Sequence, residues 1–218
     1  MSLFQSPDQI EAMFTRKDGS YAFARWGRPI APIVFGVDDA TLKTVKGAVE
    51  AVVTLAGHQM AETDPELGSN LMFFFFREWS ELLSVPDLDR MIPNLQPLVK
   101  RLNAADAAHY RAFRFDESNA IQAAFVFVRV SGAAAEQAAE DLALSQVVQV
   151  ILMWGDQAFA EKSPLALVPG QDTAVLRPEI AGIIAASYDR MMPQSAADSS
   201  HALRLFARLQ APIAQPDA

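Results

Sequence analysis

The sequence predicts an α+β fold, a mixed β-sheet packed with helices and followed by a helical C-terminal half, and three observations carry that prediction. Ile121 to Val130 has the two-residue period of a strand, with Phe125, Phe127 and Arg129 on one face and Val126, Val128 and Val130 on the other. Asn70 to Phe76 is a polar-bounded apolar run with four successive phenylalanines, the pattern of a strand buried on both faces. After Ala133 the patterning is mainly helical, so strands and helices mix in the first half and helices dominate the second.

Taken in order, Pro7-Asp8 is a plausible helix start within a peripheral N-terminal segment, 1–19. Tyr21 to Phe35 reads as a strand, a kink at Gly27, Pro29 and Pro32, and a second strand near Ile33–Val37. Asp38-Asp39 caps a helix whose Leu42, Val45, Val49, Val52, Val53 and Ala56 keep the 3.6-residue period, with Gly57 as its stop. Trp79 to Val85 is a short helix ended by Pro86, and Leu88 to Leu102 holds one or two helices broken by Pro93 and Pro97. Tyr110 to Phe115 alternates as a strand and 116–119 turn. A long helix is expected from Ala133 to Trp154, with Gly155 near its C-cap, then a loop from Glu161 to Thr173. Pro178 starts a helix to Arg190, Pro193-Gln194-Ser195 turns the chain, and a last helix spans Ala196 to Leu209 before a peripheral tail, 211–218. No repeat or composition shift divides the chain, so one domain, 1–218, is expected.

Composition excludes several kinds of chemistry. The 218 residues are 51% apolar and carry a net charge of −8, which argues against nucleic acid and anionic membranes as partners because both need clustered cations. There is no cysteine, so thiol nucleophiles, thiolate zinc and iron–sulfur clusters are absent. No phosphate loop, dinucleotide fingerprint or serine-hydrolase elbow occurs, and no cofactor is expected. Met1 to Phe14 lacks an apolar signal core, and the compartment stays open: the cytoplasm by that absence, or the periplasm if an export signal has been trimmed.

The most informative stretch is Leu142 to Trp154, apolar except for Ser145, Gln146 and Gln149. Their i, i+1, i+4 spacing puts them on one side of a helix. It is also the spacing of H-E-x-x-H, in which two histidines hold zinc and the glutamate activates water. Here the frame reads Ser145-Gln146-Val147-Val148-Gln149, in which no side chain can ionise.

Around that stretch the chain resembles an uncharacterised bacterial family with the zincin fold of metallopeptidases. The likeness rests on Phe23-Ala24-Arg25-Trp26 followed by Pro29-Ile30, on Asp141 to Trp154, and on Glu179 to Leu209 with Tyr188-Asp189-Arg190 and Pro193. The resemblance implies a mixed sheet backed by a helix, an edge strand lining a cleft, and a motif helix at Asp141–Trp154. It also implies a degenerate member, because the zinc ligands and the general base are missing.

Three readings of function follow. The first is an inert zincin-like binding or structural protein, whose site is Ser145, Gln146 and Gln149 with Asp156 and Arg129. Asp156 lies seven residues after Gln149, and Arg129 interrupts an apolar strand beside the cleft. Its ligand is an extended peptide or small molecule along strand 121–131. The second is a hydrolase using His58 or His109 with Asp141 or Asp156 as unusual metal ligands. The third is an oligomer-forming module presenting Met191-Met192 and the last helix. The alternatives for the polar triad are a solvated helix face or a buried network holding neighbouring elements; for Arg129 the alternative is a structural ion pair, and for Phe73 to Phe76 core packing. The three histidines stand alone in sequence.

Overall fold

A computed structural model describes residues 4, 6–132, 136–168, 170 and 174–210. The fold is α+β, and its centre is a four-stranded mixed sheet. The strands are β2 (Pro32–Phe35), β3 (Leu71–Phe76), β5 (Ile121–Arg129) and β4 (His109–Phe115), in that spatial order. The first three run parallel and β4 is antiparallel to β5. A two-residue strand β1 (Phe23–Ala24) pairs with β8 (Ser195–Ala196), and β6 (Leu165–Leu167) with β7 (Ala174–Leu176) forms a small hairpin.

Both faces of the sheet are covered, which is why β3 and β5 are almost wholly apolar. On one face Phe73, Phe75, Val126 and Val128 pack with α2 (Asp39–Leu55) and α5 (Ala139–Ile151). The same core takes in α6 (Pro178–Ser187) and α7 (Ser200–Gln210). On the other face Phe74, Phe76, Phe125 and Phe127 meet a 3-10 turn (Trp79–Ser84), α3 (Leu88–Met91) and α4 (Leu95–Ala104). The four phenylalanines therefore split two and two, as pleat alternation requires.

Local signals set the element ends. Asp38 caps α2 by accepting from Thr41 N at 2.8 Å. Gly57, at φ +64°, closes that helix: its N–H donates to Thr54 O and His58 N to Val53 O, the paired bonds of a Schellman turn. Helix α5 stops at Ile151, three residues earlier than the sequence suggests, and its expected start at Ala133 lies outside the described residues, as does the tail 211–218. The early stop has a cause. Leu152 swings to an extended conformation and bridges Arg25 beside β1. Side chains then replace the missing turn: Trp154 Nε1 donates to Val148 O at 2.9 Å, Trp26 Nε1 to Val150 O at 3.0 Å, and Tyr188 Oη to Ile151 O at 2.9 Å. The stretch expected as loop to Thr173 also contains β6, whose partner β7 begins just beyond.

The N-terminal segment is not peripheral. Helix α1 (Pro7–Ala12) and the turn after it bury Ile10 and Phe14 completely in the main core. Phe14 stacks on Trp154, with ring centroids 5.2 Å apart. Short helices of low periodicity hide such burial from a sequence reading, because six residues give too few turns to define a face.

Gly155 sits where a Cβ would run into the Thr15 carbonyl, and its N–H donates to Met13 O at 2.8 Å. Gly155→Ala is expected to lose about 1–3 kcal/mol through overpacking. Tyr188→Phe is expected to lose about 1–3 kcal/mol, since it strips the buried Ile151 carbonyl of its donor. Urea unfolding of both variants checks these values, and a loss under 0.5 kcal/mol for either would contradict the packing described.

Candidate functional site

The site is a cleft of about 730 Å³ between the edge strand β4, the exposed side of α5 and the segment after it. Register decides which side chains reach it. His109, Arg111 and Phe113 of β4 lie opposite Val128, Val126 and Ala124 of β5, so they share the face that α5 covers. Tyr110 and Ala112 lie opposite Phe127 and Phe125 and face α4. From α5 the cleft takes Ser145 and Gln149, one helical turn apart, and from the following segment Trp154, Asp156 and Glu161.

The three polar residues of α5 have different fates. Gln146 is buried at 4% exposure, and its Oε1 accepts from Arg111 Nη2 at 2.7 Å. Gln149 folds back on its own helix, its Nε2 donating to Ser145 Oγ at 3.0 Å and Ser145 O at 3.2 Å. The triad is thus neither a solvated stripe nor one unit: Gln146 braces the sheet, while Ser145 and Gln149 form a self-satisfied pair on the cleft floor. Asp156 is exposed at the rim, where its Oδ2 accepts the Lys17 N–H at 3.0 Å.

Arg129 does not join them. It lies on the other face of the sheet with Phe125 and Phe127 and pairs with Asp106 at 2.6 Å, a structural ion pair at the end of β5. Nor is strand 121–131 an edge. β5 is hydrogen-bonded to β3 on one side and β4 on the other, so its backbone cannot accept another strand. The edge is β4, placed outside β5 by the hairpin that joins them at 116–120.

The histidines stay apart. His58 Nε2 donates to Arg28 O at 2.9 Å, and its ring lies 5.0 Å from Tyr188. His201 is buried at 3% exposure; its Nδ1 meets Tyr21 Oη at 2.7 Å, and its Nε2 has no partner among the described residues. Asp141 Oδ1 accepts from Ala174 N. Among the described residues no three His, Asp or Glu side chains converge in a set that could hold a metal ion.

Arg111 is the functional candidate that the sequence reading passed over. β4 carries two arginines, Arg111 and Arg114, and nothing local separates them; Arg114 is exposed, and only the register turns Arg111 toward α5. Burial lowers its pKa to about 10. No carboxylate of the described residues lies within ion-pair distance of its guanidinium, and its Nε is buried without a partner. Burial and the neighbouring Arg111 charge together lower His109 to about 4, so its imidazole is neutral at pH 7. No family model, curated protein or solved structure matches the chain.

Two predictions follow from these contacts. Gln146→Leu strands Arg111 and is expected to lose about 1–3 kcal/mol, whereas Gln149→Leu removes only a local bond and is expected to stay within about 0.5 kcal/mol. Chemical denaturation of the pair checks the contrast. His201 and His109 are depressed from an ordinary 6.5 to about 4, so the unfolded chain binds more protons between those values. Stability is therefore complete above pH 6.5 and falls as the pH drops toward 4. His201→Gln is expected to flatten that slope in melting temperature measured from pH 7 to 4, and an unchanged slope would contradict the neutral buried ring.

Proposed function

We propose that the chain is a zincin-like scaffold without catalytic groups, which binds an extended peptide along the cleft edge of β4. The observation that carries this reading is the free edge of β4 facing α5. Among the described residues β4 pairs only with β5. Arg129 N donates to Ala108 O, which fixes the alternation of an antiparallel ladder. The backbone groups of His109, Arg111 and Phe113 then point away from β5, toward the cleft rim. An added strand would bond to those three residues, and its alternate side chains would enter the cleft above Ser145 and Gln149.

The arrangement supports the zincin likeness in two further ways. The antiparallel edge strand and the helix after β5 enclose one cleft, and the positions that a zinc motif would use, 145 and 149, both open into it. The side chains there are a hydroxyl and an amide already bonded to each other. Such groups orient a ligand but cannot polarise water, because neither is a Lewis acid or a general base at neutral pH.

Hydrogen exchange tests the binding mode. With a degenerate pool of extended heptapeptides, protection is expected at the amides of His109, Arg111 and Phe113 and not to change at Tyr110 and Ala112. Protection confined to other strands, or none, would overturn the edge-binding reading. Zinc-supplemented protein is expected to leave the same peptides intact, and cleavage abolished by Ser145→Ala with Gln149→Ala would overturn the inert reading.

A further inference from the structure

We infer that the cleft selects a carboxylate, carried by the bound peptide, as the counter-ion of Arg111; this rests on the peptide-binding reading above. The sequence of causes begins with an electrostatic imbalance. Arg111 lies at the cleft wall in a partly buried position, and one neutral amide oxygen, Gln146 Oε1 at 2.7 Å, is its hydrogen-bond acceptor among the described residues. Of the other partly buried arginines, Arg25 and Arg177 also lack a carboxylate of the described residues within ion-pair distance, Arg177 donating to Ser163 O, but neither lines this cleft. Arg28 meets Asp64 and Glu66, and Arg129 meets Asp106, while Arg25 donates to Met192 O and lies 5.2 Å over the Tyr188 ring.

A guanidinium shielded from water with no anion is costly, and it occurs here in a chain whose 26 acidic residues outnumber its 18 lysines and arginines. Gln146 is the acceptor that holds the group in place without neutralising it. Every other ionisable group lining the cleft leaves the charge unmet. His109 next to it is neutral at pH 7, and Asp156 and Glu161 line the same cleft outside ion-pair distance of Arg111, with Asp156 engaged by the Lys17 N–H.

The charge of the occupant follows from this inventory. One uncompensated cation in a cleft that Asp156 and Glu161 also line favours a monoanion over a dianion. The planar fork of a guanidinium matches a carboxylate, which accepts two parallel N–H bonds. On a strand paired with β4, the side chain opposite Arg111 points into the cleft, so an acidic side chain reaches the guanidinium. A peptide ending there would present its terminal carboxylate instead.

Three peptides separate these sources: Ac-Val-Thr-Glu-Thr-Val-NH2, Ac-Val-Thr-Gln-Thr-Val-NH2 and the same glutamine peptide with a free C-terminus. Each is titrated into isotope-labelled full-length protein, with amide shifts followed on β4 and α5. The glutamate peptide or the free-acid peptide is expected to bind at least about tenfold more tightly than the neutral one, and Arg111→Gln is expected to erase that preference. Whichever acid peptide gains identifies the source. The double variant Arg111→Met with Gln146→Leu, which removes the unneutralised charge without stranding the buried amide, is expected to leave the melting temperature unchanged or raised; a purely structural pair would lower it. Equal binding of all three peptides would overturn the carboxylate inference while leaving the peptide cleft standing. Shifts by none of them at millimolar concentration would overturn both. A preference that survives Arg111→Gln would assign the anion to another group.

Discussion

The structure depends on how the C-terminal end of α5 is finished. A helix leaves its last carbonyls without partners, and an end inside the core cannot leave them to water. Here three side chains supply the donors, Trp154 from just beyond the helix, Trp26 after β1 and Tyr188 after α6. Tyr188 Oη also accepts the Trp26 N–H at 3.3 Å, so one hydroxyl ties the early strand segment to the helix end. The three distant segments that carry the resemblance are thus physically joined at one point. Because α5 is held at this end, the positions of Ser145, Gln146 and Gln149 against β4 are fixed.

The cleft follows from that anchoring and from one amide. Gln146 spans from helix to edge strand and sets the distance between the cleft walls by its bond to Arg111. A carboxylate at 146 would neutralise the arginine and fill its donors. A glutamine holds the same geometry and leaves the charge unspent. The pair on the floor is different in kind: Ser145 and Gln149 satisfy each other, so opening the cleft to a ligand breaks no buried bond elsewhere.

The sheet, its strands and the main helices were legible because they rest on strong periodicity: β5 by alternation, β3 by its unbroken apolar run, α2 by its stripe, caps and Gly57. The cleft was legible only in part. Helix spacing grouped Ser145, Gln146 and Gln149, but which of them is buried depends on what packs against α5, and that is tertiary information. Arg129 and Arg111 show the limit well. Both are arginines on alternating strands, and nothing local says which faces the cleft. That depends on strand order, which put β4 outside β5 and made it the edge. The burial of α1 was hidden for a similar reason, since its partner α7 lies almost two hundred residues away.

That last pairing has a consequence for how the molecule is made. Phe14, Tyr21 and Phe23 surround His201, and Phe23 pairs in register with Ala196. Such closures join α1 and β1 to β8 and α7, and contacts of such long sequence separation form late and slowly. During vectorial synthesis α1 and the turn after it therefore emerge with Ile10 and Phe14 uncovered until α7 has been made. Over that interval these apolar side chains are open to chaperones and to aggregation.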